Sequence, residues 1–135
     1  MVGARMSEAR MALGRRGEQL AAEHLRDRGF TLIERNARTR FGEIDLIALH
    51  GRTLVFVEVK TRRLRAGRRA ARPDQRPLEG LGADQRRRLR RLARAWLADE
   101  KRGRPFAEAI RFDAIGVELD AGGELRRIEQ IEDAW

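Results

Sequence analysis

The periodicities of this sequence predict an α/β fold, a sheet covered by helices on both faces, in the order helix, three strands, helix, strand. Two segments repeat their apolar residues with helical spacing, and runs of strand-forming residues bounded by turn residues lie between and after them. The middle of the chain carries the third observation. Gly42 to Lys60 reads GEIDLIALHGRTLVFVEVK and is apolar on both sides of its alternation, which places it centrally in a sheet covered on both faces. At 135 residues the chain is expected to form one domain, 1–135, with a single modest core.

Met1 to Met6 reads as a frayed leader, followed by a helix from Ser7 to Arg28. Leu13, Gly17, Leu20, Ala21, His24 and Leu25 share one face of it, and Gly29 ends it. Gly14 and Gly17 each weaken this helix by ~1 kcal/mol relative to alanine, so close packing against a neighbour is expected. Gly14-Arg15-Arg16-Gly17 lacks the spacing of a phosphate-binding loop. Phe30 to Asn36 is the first strand, and Arg38 to Arg40 turn into a hairpin. Thr61 to Arg76 is rich in arginine and offers almost nothing to bury, which predicts a flexible loop over 62–78. A second helix runs from Ala83 to Glu100, with Leu89, Leu92, Ala93 and Trp96 inward and Arg87, Arg90, Arg91 and Arg94 outward. Phe106 to Leu119 forms another strand, Asp120 to Gly123 turn, and Leu125 to Ile131 pairs back.

The hairpin holds the chemistry. With His50-Gly51 as its turn and Leu49 opposite Arg52, Asp45 faces Phe56 and Glu43 faces Glu58. Period two then directs Glu43, Asp45, Glu58 and Lys60 to one face, and Ile44, Leu46, Ala48, Val55, Val57 and Val59 to the other. Asp45 and Glu58 become diagonal neighbours about 7–8 Å apart at the backbone, within reach of one ion. Grouped acids repel, and Lys60 alone offsets them poorly. A divalent cation such as Mg²⁺, or Mn²⁺ in its place, is the natural counter-charge, because Mg²⁺ binds through one or two carboxylates and keeps waters for phosphates. The competing reading is a charged sheet edge with an ordinary ion pair to Lys60. His24 and His50 are too isolated to suggest ligands, and Asp113 reads as structural.

Charge points to the partner. The net charge is +9, and it is uneven: residues 60–104 carry +12 and the remainder −3. Such a surface suits a polyanion. Of the 30 basic side chains 28 are arginine, yet lysine stands beside the acid pair at position 60. Lysine is a compact point charge on a flexible stem, suited to orienting a water or offsetting developing charge, whereas arginine is a fixed planar fork. Arg35, Asn36, Arg38, Arg62, Arg63, Arg65, Arg87, Arg90, Arg91 and Arg94 are the candidate contacts to nucleic acid, with solubilising surface as the alternative. The chain has no cysteine, which leaves no disulfide framework and no thiolate metal site. Without a signal peptide or a membrane-spanning apolar run, the expected location is the cytoplasm.

These residues carry a resemblance. Asp45 followed by Glu58-Val59-Lys60 on the next strand resembles the PD-(D/E)XK signature of restriction-endonuclease-like nucleases. Arg35, Asn36 and Arg38 ahead of GEIDLIA, with FVEVKTR following, resemble more closely the YraN family of bacterial endonuclease-like proteins, which is similar to archaeal Holliday-junction resolvases. The resemblance implies a restriction-endonuclease-like core with a mixed central sheet flanked by helices, αβββαβ in order. It implies catalytic roles for Asp45, Glu58, Lys60 and Glu18, with Mg²⁺ held by Asp45, Glu58 and the Val59 carbonyl. By its residues alone Glu18 is an ordinary helix glutamate. Where that family places a lysine near the start of the second helix, this chain has Gln85. Sheets of that fold often pair across an edge, so a homodimer is among the expected assemblies.

Three functions follow. The first is a metal-dependent endonuclease acting on DNA, including branched recombination or repair intermediates. The second is a nucleic-acid-binding module that keeps the nuclease fold without turnover. The third is a basic scaffold on ribosomal RNA or another acidic assembly, which leaves Glu43, Asp45 and Glu58 without a purpose.

Overall fold

The structure, a computed structural model, describes residues 2–64, 82–99, 103 and 106–134, with side chains from residue 8 onward. Its elements are α1 (Val2–Asp27), β1 (Thr31–Thr39), β2 (Gly42–His50), β3 (Thr53–Arg63), α2 (Ala83–Ala98), β4 (Ala109–Leu119) and β5 (Leu125–Ile131). The strands form one mixed sheet in the order β1-β2-β3-β4-β5. Neighbours are antiparallel except β3 and β4, which are parallel. A parallel pair needs a crossover, and α2 lies within it. The fold is the mixed α/β class expected, consistent with a restriction-endonuclease-like fold.

The sheet divides the core in two. On one face Leu20, Ala21, Ala22 and Leu25 of α1 pack on Leu46, Ala48, Val55, Val57, Ile115 and Val117. On the other, Leu89, Leu92, Ala93 and Trp96 of α2 pack on Ile44, Ile47, Leu54 and Phe56. The indole N–H of Trp96 donates to Glu34 Oε1 at 3.2 Å, so the largest buried side chain keeps its polar atom satisfied.

Several boundaries differ from the sequence reading. Helix α1 begins at Val2 rather than Ser7, since Ala4, Arg5 and Met6 are good helix formers and no proline stops them. It ends as expected: Gly29 takes φ +88°, and Phe30 N–H donates to Leu25 O at 2.9 Å, closing a glycine C-cap. Thr61 to Arg63 are strand, not the start of a loop, because β4 pairs with β3 as far as Arg63↔Leu119. Leu64 beyond them is buried and donates its N–H to Leu119 O. The rest of the expected loop, Arg65 included, falls outside the described residues. Helix α2 ends at Ala98, and β4 starts at Ala109, three residues after an exposed Phe106. Among the described residues no helix is long and apolar enough to cross a membrane.

Within β4, Asp113 is fully buried and hydrogen-bonded through both carboxylate oxygens. It accepts both Arg111 Nε and Nη2, at 2.8 and 2.9 Å, together with Gln130 Nε2 and the Asp133 N–H, each at 3.0 Å. Gln130 Oε1 in turn accepts from Arg28 and lies 3.0 Å from His24 Nε2. An amide oxygen only accepts, so His24 carries its proton on Nε2. These side chains tie the end of α1 to β4 and β5, which accounts for Asp113 and His24 structurally. His50 stacks on Phe30.

Candidate functional site

The hairpin register differs from the expectation by two residues. His50 pairs with Thr53 around a Gly51-Arg52 turn, in which Gly51 has φ +60°, and pairing runs on to Leu46↔Val57. A two-residue turn opened by a glycine with positive φ suits the twist of a hairpin better than one centred on His50. Because the offset is even, the facing of the β3 residues is unchanged, and pairing stops at Leu46↔Val57, one residue short of Asp45, with Phe56 opposite Ile47 rather than Asp45.

One expected face is broken. Ile44 and Ile47 both lie in the core beneath α2, although alternation would put them on opposite sides. The strand therefore turns over between them, at Asp45. Its neighbour across β1 is irregular too: Asn36, between the pairs Arg35↔Leu46 and Ala37↔Ile44, has φ +50°, a region that asparagine tolerates better than most residues. Ile44 thus leaves the face with Leu46 and Ala48 to be buried under α2.

Where β2 turns over, its backbone no longer pairs with β3. Asp45 Oδ2 accepts the Val59 N–H at 2.8 Å, standing in for a ladder carbonyl. The acids assemble around this point. Glu58, with a side chain 14% exposed, lies 3.4 Å from Lys60 Nζ through Oε1. Glu18 reaches the same place from α1, close enough to Glu43 and Glu58 to be repelled by both; Asn36 hydrogen-bonds it and Arg35 offsets its charge. Burial raises the Glu18 pKa above the usual carboxylate value despite these two partners. Burial also raises Asp45, to about 7, with Glu58 and Glu18 adding repulsion that the Val59 N–H and Lys60 only partly offset.

Gly17 explains how α1 brings Glu18 so near. A Cβ there would stand 1.7 Å from Thr61 Oγ1 and 2.8 Å from Thr61 Cβ, so only glycine permits this approach to β3. Gly14 has nothing within 4 Å of its position, and the expectation of close packing fails for it.

Among the described residues no group of three or more His, Asp or Glu side chains is disposed as a metal cluster. The expected ligand set of Asp45, Glu58 and the Val59 carbonyl contains only two carboxylates. Its hard oxygen donors, crowded and short of positive charge, fit a Mg²⁺-like ion in chemistry and number.

The candidate nucleic-acid residues separate. Arg35 and Asn36 attend Glu18. Arg38 pairs with Glu43 at 3.2 Å. Arg62 lies in register with Glu118, a buried carboxylate, whereas Arg63 lines a hollow with Ala9, Ala12, Leu13 and Arg16 beneath α1. Arg87, Arg90, Arg91 and Arg94 line one groove along α2, and Arg87 pairs with Asp84. Arg88 and Phe41, absent from the sequence reading, line it as well. Phe41 gave no signal because it stands alone in a turn, outside any periodic run. Gln85, at the position of the resembling family's lysine, has its Oε1 buried with no hydrogen-bond partner among the described residues.

A profile of the uncharacterised protein family UPF0102 matches residues 17–117, spanning every element of the site. A UPF0102 protein of Rhodococcus jostii (strain RHA1) is 42% identical over 126 residues, covering 93% of this chain and 97% of its own. UPF0102 proteins of Nocardia farcinica and Mycobacterium ulcerans are 45% identical over 114 residues and 48% over 112, covering 84% and 82% of this chain and 81% and 84% of theirs. With these relatives aligned over most of both chains, the protein belongs to the uncharacterised protein family UPF0102, to which its YraN-like motifs pointed.

Proposed function

We propose that the protein is a metal-dependent endonuclease of DNA, with Asp45, Glu58 and the Val59 carbonyl holding Mg²⁺ or Mn²⁺. The observation that carries this reading is the gathering of Glu18, Asp45 and Glu58 where β2 and β3 part, with Lys60 beside Glu58 and Asp45 driven to a pKa of about 7. A fold does not hold three acids together for stability, because their repulsion works against it. When bound, the ion would polarise the scissile phosphate and lower the pKa of an attacking water.

The chain's own groups have separable tasks. Asp45 is oriented by the Val59 N–H, which holds one carboxylate oxygen and leaves the other for a ligand. Lys60 neutralises Glu58 in the resting protein, and its ammonium is placed to orient a water or offset charge developing on the phosphate. Glu18 is the additional acid that positions water. The arginines of α2 bind the phosphate backbone and set affinity rather than chemistry.

The test is cleavage of branched and linear DNA with Mg²⁺ or Mn²⁺. Asp45→Asn and Glu58→Gln should abolish it while DNA affinity survives. Lys60→Ala should keep metal binding and lose about 10²–10³-fold in turnover, the scale of one electrostatic stabiliser. Lys60→Arg should remain poor. Equal cleavage by wild type and Asp45→Asn would place the activity elsewhere. Tight DNA binding without cleavage of any form would establish instead a binding module retaining the nuclease fold.

A further inference from the structure

The β1–β2 turn presents an aromatic ring in the middle of the arginine groove. Phe41 is 39% exposed, with the Arg91 guanidinium 4.2 Å and the Arg40 guanidinium 4.8 Å from its ring centroid. Arg87, Arg88, Arg90 and Arg94 line the groove around it. Among the described residues, only Arg87 of these four is paired with a carboxylate.

The tip is held in shape before anything binds. Thr39 Oγ1 accepts the Phe41 N–H at 3.1 Å and donates to Gly42 O at 2.9 Å. Gly42 has φ +135°, a conformation that favours glycine, and its Cβ position lies 3.5 Å from Leu92 of α2. An exposed phenylalanine at a turn buries little and is not needed for this geometry.

From these residues we infer that Phe41 is a stacking platform for an unpaired nucleobase, and that the groove takes a single-stranded segment of nucleic acid with its phosphates on the α2 arginines. The inference rests on the nucleic-acid reading above and narrows the substrate to strands with unpaired bases. In a duplex both faces of each base are occupied by its neighbours; only an unpaired base offers a face to an aromatic ring. Arg40, more distant from the ring and exposed, occupies a place that a base can take, because base–aromatic stacking is stronger than an exposed cation–π contact. The displaced guanidinium is then available to a phosphate. An acidic protein segment would satisfy the arginines but has no use for the ring. Along β2, Asp45 lies four residues from Phe41, about 13 Å of strand, so a bound single strand can run from the platform toward the acid cluster.

The test is equilibrium binding, in EDTA so that nothing is cut, of a short oligothymidylate and of a blunt duplex to wild type, Phe41→Leu and Phe41→Trp. Phe41→Leu should weaken oligothymidylate binding about tenfold or more and leave the duplex unchanged, while Phe41→Trp retains wild-type affinity. Oligothymidylate binding unaltered in Phe41→Leu, or an equal loss on single strand and duplex, would overturn the platform. So would displacement of oligothymidylate by polyglutamate from wild type and Phe41→Leu alike, which marks a general acidic-partner surface. Discrimination at Phe41 without metal-dependent cleavage would remove the nuclease reading and leave the platform standing; cleavage with a silent Phe41→Leu would do the reverse.

Discussion

The carboxylate of Asp45 accepts the main-chain N–H of Val59 at 2.8 Å, across the point where β2 and β3 cease to pair. One side chain therefore replaces a ladder hydrogen bond and brings a charge into a partly buried, acid-lined place. The two roles oppose each other energetically, and substitution separates them.

Asp45→Ala removes the charge but leaves the Val59 N–H without its acceptor, a loss of about 1–3 kcal/mol that works against the relief of repulsion. Asp45→Asn keeps the acceptor and removes the charge. Because burial and Glu58 raise Asp45 to about 7 from 3.8, the folded protein holds a proton that the unfolded chain releases near its ordinary value. Stability from this group is therefore present at low pH and declines as pH rises from about 4 through about 7, by a few kcal/mol at most. Urea melts should find Asp45→Asn more stable than wild type near pH ~8, with the difference shrinking as pH falls and small by pH ~4. Parallel pH profiles for the two proteins would show that Asp45 is not strained by its surroundings.

Gly17 and Gly14 form a matched pair on one helix. Gly17→Ala drives a methyl into Thr61, and the overpacking should cost about 1–3 kcal/mol, more than the helix propensity gained. Gly14→Ala meets open space and should stabilise by up to ~1 kcal/mol. Thermal melts of both variants check this, with a stabilised Gly17→Ala as the contrary result.

The groove along α2 predicts a salt signature. Arg90→Ala with Arg94→Ala should lower the slope of log affinity against log salt by about 2 for duplex DNA. Arg87→Ala should change it less, since Arg87 already pairs with Asp84. A slope insensitive to Arg90 and Arg94 would place the nucleic-acid surface elsewhere.

Much of this was legible in the sequence, for physical reasons. Alternation and helical spacing gave the fold class, the two apolar faces and Trp96 as core. The parity of the hairpin survived a register error from Leu46 to His50 because the error was even, and failed only beyond, where β2 turns over. What escaped was local and tertiary. Ile44 changes faces because β2 turns over at Asp45 and Ala37 and Leu92 bury it, and no window of one strand contains that information. Arg62 and Arg63 read as loop because arginines offer little to bury, yet pairing with β4 holds them in a strand. Arg35 and Asn36 read as candidate phosphate contacts, and the structure sets both beside Glu18; their residue types were visible, their neighbour was not. Phe41 matters through Arg40 and Arg91, one adjacent in sequence and one fifty residues away.

The central claim is a divalent ion at Asp45 and Glu58, and the most direct measurement is calorimetric titration of Mn²⁺ into wild type, Asp45→Asn and Glu58→Gln without DNA. Wild type should bind with proton release, and below pH about 7 its affinity should rise about tenfold per pH unit as Asp45 ionises, levelling above that. Both variants should give no specific heat. Absence of binding by wild type at high pH, or equal binding by all three proteins, would contradict the metal centre.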